Sequence, residues 1–204
     1  SHRPRFVAEL GAFIRFPSDS AQPQHAQDMA RCAAWLAHHL RKIGLGQVSV
    51  VPTARHPIVC ASWHYAAGRP TVFIYGHYDV QPAEPLEKWH SPPFEPVVRA
   101  NDLYGRGASD NKGQMFAHVK AVESYLKTSG RLPVNVICLF EGEEEIGSPH
   151  LAPFLMAHRH EFAVDCAVVS DTQIPASDRP AITYALRGAL SLELEVQGPQ
   201  RELH

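Results

Sequence analysis

Residues 71–79 read TVFIYGHYD, a run of β-branched and aromatic side chains that breaks at a glycine and passes at once to histidine, tyrosine and aspartate. Such a run, with Pro70 before it and polar residues after it, predicts a strand. VNVICLF at 134–140 has the same character and leads into EGEEE, and DCAVVS at 165–170 leads into Asp171. The first two are expected to be buried on both faces, as strands in the middle of a covered sheet are. QVSVV at 47–51 and PIVCASW at 57–63 add two more short apolar runs.

Between the strands the apolar period changes. Phe6, Leu10, Phe13 and Ile14 within 5–16, and Met29, Cys32, Leu36, Leu40 and Ile43 within 27–43, recur near every 3.6 residues and predict amphipathic helices. Gly44 and Gly46 supply the stop for the second. KGQMFAHVKAVESYLKT at 112–128 and SPHLAPFLMAHRH from 148 predict two further helices. Alternating strands and helices make this an α/β layered domain. QPAEPLEKWHSPPFEP at 81–96 carries too much proline for either element and is expected to be a surface loop. In ALRGALSLELEVQG at 185–198, Leu190, Leu192, Leu194 and Val196 alternate with Ser191, Glu193 and Glu195, the pattern of a half-exposed strand. A second domain is therefore expected to begin there, with 1–187 belonging to the first and 188–204 to the second.

Composition narrows the function. The chain has 204 residues, 45% of them hydrophobic, enough for one sizeable core. Its 19 basic and 21 acidic residues leave a formal charge of -2 with no run of like charges, so nucleic acid is not an expected partner. No apolar stretch has the length of a membrane span, and the first residues lack the pattern of a signal peptide, so a cytoplasmic protein is expected. Cys32, Cys60, Cys138 and Cys166 are far apart without a CxxC pair and read as free thiols, mostly buried. The 13 histidines are mostly scattered among polar residues, so abundance alone does not indicate a metal.

Position does. His77 and Asp79 follow one apolar strand, Glu143, Glu144 and Glu145 follow another, and Asp171 follows a third; strand ends of one α/β sheet lie together, and ligands collect there. His77 and Asp79 are two apart in an extended segment, so both side chains project to one side and Asp79 can accept the imidazole N–H. Asp110, in LYGRGASDNKGQ, stands just before a helix and reads equally as an N-cap or a site residue. Three consecutive carboxylates at the end of a buried strand repel one another unless a cation compensates. Histidine with several carboxylates suits Zn²⁺, with Mn²⁺ or Co²⁺ possible, and two such ions can share a carboxylate. Spacing alone does not say which of the three glutamates does what.

YGHYDVQPA, LYGRGASDNKG, EGEEEIGSPHL, VVSDT and ITYALRG, in this order, resemble the zinc metallopeptidase family that includes carnosinase-like dipeptidases, glutamate carboxypeptidase, aminoacylase and succinyl-diaminopimelate desuccinylase. YGHYDVQPA and KWHSPPFEP look most like its dipeptidase branch. The resemblance implies a three-layer αβα catalytic domain on a mostly parallel mixed sheet, interrupted by an inserted α+β lid and dimerisation domain. It implies two divalent ions: His77 and Asp171 hold one, Glu145 the other, and Asp110 bridges them by way of a cis Asp110–Asn111 peptide. Asp79 orients His77, and Glu144 is the general base for attack of an activated water on an amide carbon, which leaves Glu143 outside the site. His204 matches a histidine that reaches the other subunit's active site and helps bind the oxyanion. The implied substrate is a dipeptide or small peptide, with N-acyl amino-acid deacylation as the rival, and the implied full-length assembly is a homodimer. The family supplies a further ligand histidine from later sequence, so these 204 residues are expected to be an N-terminal part with impaired activity, or a metal-binding module without catalysis.

Overall fold

A computed structural model describes residues 2–176, 178–199 and 201. One compact unit ends at Asp171 and a second begins at Thr172.

In the first unit α1 spans Arg3–Ile14 and α2 spans Ala26–Ile43. Met29, Cys32, Leu36, Leu40 and Ile43 are all buried, as their period requires. Gly44 closes α2 at φ 107, where a side chain would be strained; its N–H reaches the Arg41 carbonyl while Leu45 reaches back to Leu40. The strands β1 (Ser49–Val51), β2 (Ile58–Trp63) and β3 (Thr71–His77) follow. The 81–96 segment is a loop, as its prolines require, containing one short turn of 3-10 helix at Leu86–Lys88. A two-stranded ribbon, β4 (Val97–Arg99) and β5 (Asp102–Tyr104), was not foreseen in the sequence. Ala100 and Asn101 connect it, both at positive φ, the backbone that a tight hairpin needs. Then come α3 (Lys112–Ser129), β6 (Asn135–Glu141), α4 (Leu151–Ala157) and β7 (Cys166–Val169).

Five strands form one mixed sheet in the order β1-β2-β6-β3-β7. β1–β2 and β2–β6 run antiparallel; β3 runs parallel to both β6 and β7, with His77 opposite Glu141. The parallel half thus brings three carboxyl ends to one edge. Helices α1 to α3 cover one face: the Gly76 Cα lies so close to α3 that an added Cβ would stand 2.8 Å from Met115 Cβ. On the opposite face Phe73 meets Phe162, which packs on Phe154 of α4. This is the expected layered α/β arrangement.

One expectation needs correction. β6 is buried from Val136 to Glu141, but Thr71, Phe73 and Tyr75 of β3 are only half-buried, because α4 is a short cover for their face, and Val72 is half-buried on the other. The described residues of 185–198 form no strand, and Leu190, Leu192 and Leu194 stand 83%, 87% and 88% exposed. Alternation becomes a strand only when a neighbour takes up the backbone hydrogen bonds, and the described residues provide none there. The boundary expected between 187 and 188 falls within the second unit. All four cysteines are free, with Cys32 and Cys138 buried, Cys60 half-buried and Cys166 exposed on the edge strand β7. No helix among the described residues is long and apolar enough to cross a membrane.

The three covering helices are joined by a polar knot. The Lys120 ammonium donates to Glu9 (2.5 Å), Glu123 (2.7 Å) and His39 Nε2 (2.7 Å). Burial and the Lys120 charge press His39 down to about 4, against the pull of Glu9 and Glu123. An unfolded histidine titrates near 6.5, so between these values the unfolded chain binds more protons. The His39 contribution is therefore complete above pH 6.5 and is lost as pH falls toward 4. In urea unfolding at pH 7.5 and pH 5, the stability loss on acidification should be smaller in His39→Gln than in the parent chain; an equal loss in both would contradict this assignment.

Candidate metal centre

β3 ends at His77, whose side chain is 1% exposed. Its Nδ1 faces Asp79, 3.1 Å from the backbone carbonyl and 3.3 Å from Oδ1. The carboxylate is thus adjacent to the ring, and the hydrogen bond goes to the carbonyl. His77 Nε2 is buried and makes no hydrogen bond, although Asp110 Oδ1 lies at 3.1 Å, Asp171 Oδ2 at 3.3 Å and Glu144 Oε2 at 3.8 Å. A buried imidazole nitrogen ringed by carboxylate oxygens and without a hydrogen bond fits a place for positive charge, a bound cation above all.

Two overlapping triplets have ligand atoms within 4.8 Å of one another: His77, Glu144 and Asp171, and His77, Asp110 and Glu145. His77, Asp110, Glu144, Glu145 and Asp171, drawn from four separate stretches of sequence, are therefore brought together. Asp79 is buried beneath them. Its carboxylate accepts the Ser20 hydroxyl at 2.7 Å and the backbone N–H groups of Glu144 at 3.3 Å and Glu145 at 3.1 Å. A third triplet, Glu9, His39 and Glu123, is of another kind, since the Lys120 ammonium already hydrogen-bonds all three.

Local structure explains the placement. Asp110 and Asn111 are joined by a cis peptide, as the resemblance implied. Asn111 is buried: its Oδ1 accepts the His77 N–H at 3.3 Å, and its Nδ2 donates to the Ser170 carbonyl at 2.9 Å. One amide therefore ties the ends of β3 and β7 to the start of α3. The glutamates lie on a 3-10 turn at Glu144–Ile146. It is reached through Gly142, where an added Cβ would stand 2.5 Å from the Tyr78 ring, so only glycine lets β6 exit so close to β3. Gln81 Nε2 donates to Glu145 Oε2 at 2.7 Å.

Charge crowding shows in the titrations. For His77, burial favours the neutral ring, but the Asp79 hydrogen bond and the charges of Asp79, Asp171 and Glu144 prevail and raise it to about 9. Glu144 is raised by burial and by Glu145, Asp171 and Asp79, against His77. Glu145 is raised by burial and by Asp110, while the Gln81 hydrogen bond works the other way. Glu143 behaves oppositely: burial pushes it up, but hydrogen bonds from His56, His150 and Thr53 bring it below its ordinary value.

Ser20, Gln81 and Asn111 were not singled out from the sequence. Gln81 and Asn111 fall within quoted motifs, whereas Ser20 lies in a polar loop with nothing to mark it. His204 lies outside the described residues.

Residues 73–199 match the peptidase family M20/M25/M40. Across its whole length the chain is 34% identical to the Beta-Ala-His dipeptidase of Mus musculus, of which it covers 44%. It is 31% identical over 99% of its length to the Cys-Gly metallodipeptidase dug1 of Schizosaccharomyces pombe, of which it covers 45%. Among solved structures, human carnosine dipeptidase 1 matches 84% of this chain and 39% of its own length, with a TM-score of 0.78 at 33% identity. The chain thus spans less than half the length of these relatives. The match runs from the strand bearing His77, through Asp110 and the glutamates, past Asp171, and the chain belongs to peptidase family M20/M25/M40.

Proposed function

We propose that this chain carries the metal-binding part of a dipeptidase that hydrolyses dipeptides or small peptides with two divalent ions, zinc by preference. The observation that carries the reading is the buried, unpartnered His77 Nε2 facing the oxygens of Asp110, Asp171 and Glu144. In this reading His77 and Asp171 hold one ion, Glu145 the other, and Asp110 is shared. Imidazole with carboxylates is a donor set that suits zinc, with manganese or cobalt as substitutes. Bound ions would supply Lewis acidity, acidifying a water and polarising the scissile carbonyl.

The chain's own residues do the rest. Asp79 fixes the His77 ring so that Nε2 faces the ligand position. Glu144, whose raised affinity for protons suits it to accept and return one, takes the water's proton and passes it to the leaving amine. Gln81 holds one oxygen of Glu145, leaving the other for an ion. Dipeptides are preferred over N-acyl amino acids because the relatives are named for dipeptides, a Beta-Ala-His dipeptidase and a Cys-Gly metallodipeptidase. The leucine alternation supports giving 188–204 to the first strand of an inserted domain; the reading further has full-length subunits pair through that domain as a cytoplasmic homodimer.

Two measurements test this. The carboxylates around His77 favour its protonated ring, so an ion competes with a proton there: Zn²⁺ affinity should rise with pH, by up to about tenfold per unit, with proton release on binding. Calorimetry in buffers of different ionisation enthalpy reads the release; if binding is independent of pH, or persists unchanged in His77→Ala, the centre is elsewhere. In the complete protein, Glu144→Gln should retain its metal yet lose about 10²–10⁴-fold in kcat on dipeptides. Turnover within about tenfold of the parent would assign the general base to another group.

A further inference from the structure

Glu143 is the carboxylate that the proposed chemistry leaves unused, yet its side chain is only 3% exposed. Its Oε1 accepts the His56 backbone N–H at 2.8 Å and the Thr53 hydroxyl at 3.0 Å, and its Oε2 lies 2.7 Å from His150 Nδ1. Its backbone carbonyl accepts the N–H groups of Ile146 at 3.1 Å and Ser148 at 2.8 Å. One residue therefore holds both ends of the 143–150 segment, which contains Glu144 and Glu145, and fastens it to the 53–56 loop.

That loop is itself fixed from the site. His56 Nε2 lies 3.2 Å from the Ser20 carbonyl, and the Ser20 hydroxyl donates to Asp79. Next in sequence, the Pro57 carbonyl accepts the Tyr78 hydroxyl at 2.6 Å. The contacts close into a ring: Glu143 to His56, His56 to Ser20, Ser20 to Asp79, and Asp79 back to the N–H groups of Glu144 and Glu145. Each member is buried or half-buried, so breaking one link leaves a polar group without a partner in the interior.

We propose that Glu143 is a positioning residue of the metal centre, locking the turn that carries Glu144 and Glu145 to the same hydrogen-bonded ring that holds Asp79 and His77. It touches neither ion nor substrate. This rests on the metal-binding reading above, in which Glu145 is a ligand. Without the Glu143 carboxylate the turn keeps its backbone bonds to Asp79, the Gln81 bond to Glu145 and the Ser148 hydroxyl bond to Glu141, but it loses its tie to the 53–56 loop and to His150, which loosens the position of the Glu145 oxygen relative to His77 and Asp110.

The test is Co²⁺ binding to this chain, followed by its visible absorption, in the parent and in Glu143→Ala, Glu143→Gln and His150→Ala. Loss of a residue that supports a ligand from behind costs about 10–100-fold in metal affinity, so Glu143→Ala should weaken binding by that range and alter the band shape. Glu143→Gln keeps an oxygen for His56 and Thr53 and can donate to His150, so it should restore most of the affinity and the parent spectrum. His150→Ala, which removes a half-exposed partner and leaves the interior intact, should weaken binding less, and it decides the matter if Glu143→Ala does not fold. Parent-like affinity and spectrum in folded Glu143→Ala, or in His150→Ala where Glu143→Ala is unfolded, overturn the proposal alone. Failure of the parent chain to bind Co²⁺ overturns the metal-binding reading and this inference with it.

Discussion

The buried carboxylate of Asp79 is the constraint on which the candidate centre depends. A carboxylate without water is costly unless donors surround it. Here the Ser20 hydroxyl and the N–H groups of Glu144 and Glu145 do so, with His77 Nδ1 alongside. Hydrogen bonds to a charged acceptor contribute about 1.5–3 kcal/mol each, so the satisfied arrangement is strongly preferred to any in which one donor drifts away. Because the donors come from the segment after α1, the end of β3 and the turn after β6, satisfying one charge fixes three strands of chain against each other.

The layer above Asp79 has the opposite character. Asp110, Glu144, Glu145 and Asp171 converge with few donors of their own, and among the described residues the groups that lie against His77 Nε2 are all carboxylates. The contrast with the Lys120 knot is instructive. There an ammonium sits amid Glu9, Glu123 and His39 and the ring is pressed toward neutrality; at His77 the ring is drawn toward the charged form. One cluster carries its own positive charge and serves stability, whereas the other, in the proposed reading, would take positive charge from a bound ion.

Much of this was legible because parallel strands sort chemistry by sequence: whatever follows each buried strand arrives at one edge. His77, Asp79, the glutamates and Asp171 could be read that way, and Asp110 could not be separated from an N-cap until the resemblance was added. The ring beneath them was not legible. Ser20 meets Asp79 across 59 positions and Thr53 meets Glu143 across 90, and neither leaves a local pattern. The β4–β5 ribbon escaped notice because Ala100 takes up positive φ without the glycine that usually signals it. The alternation at 190–196 is sound as a pattern, but a strand is a property of two segments, and one segment cannot declare its partner.

Burial grades steadily across the centre. His77 is 1% exposed and Asp171 28%, while Glu144 is 38% and Asp110 67% exposed. Yet Asp110 is adjacent to Asn111, which is almost wholly buried. An exposed carboxylate on a loop would ordinarily sample several positions; this one is attached to a residue whose amide is bound on one side to the His77 backbone and on the other to the carbonyl before Asp171. Order is thus supplied from below, through the Asn111 amide. A carboxylate that is itself exposed is thereby held in register with the buried His77, because the residue next to it is fixed in the interior.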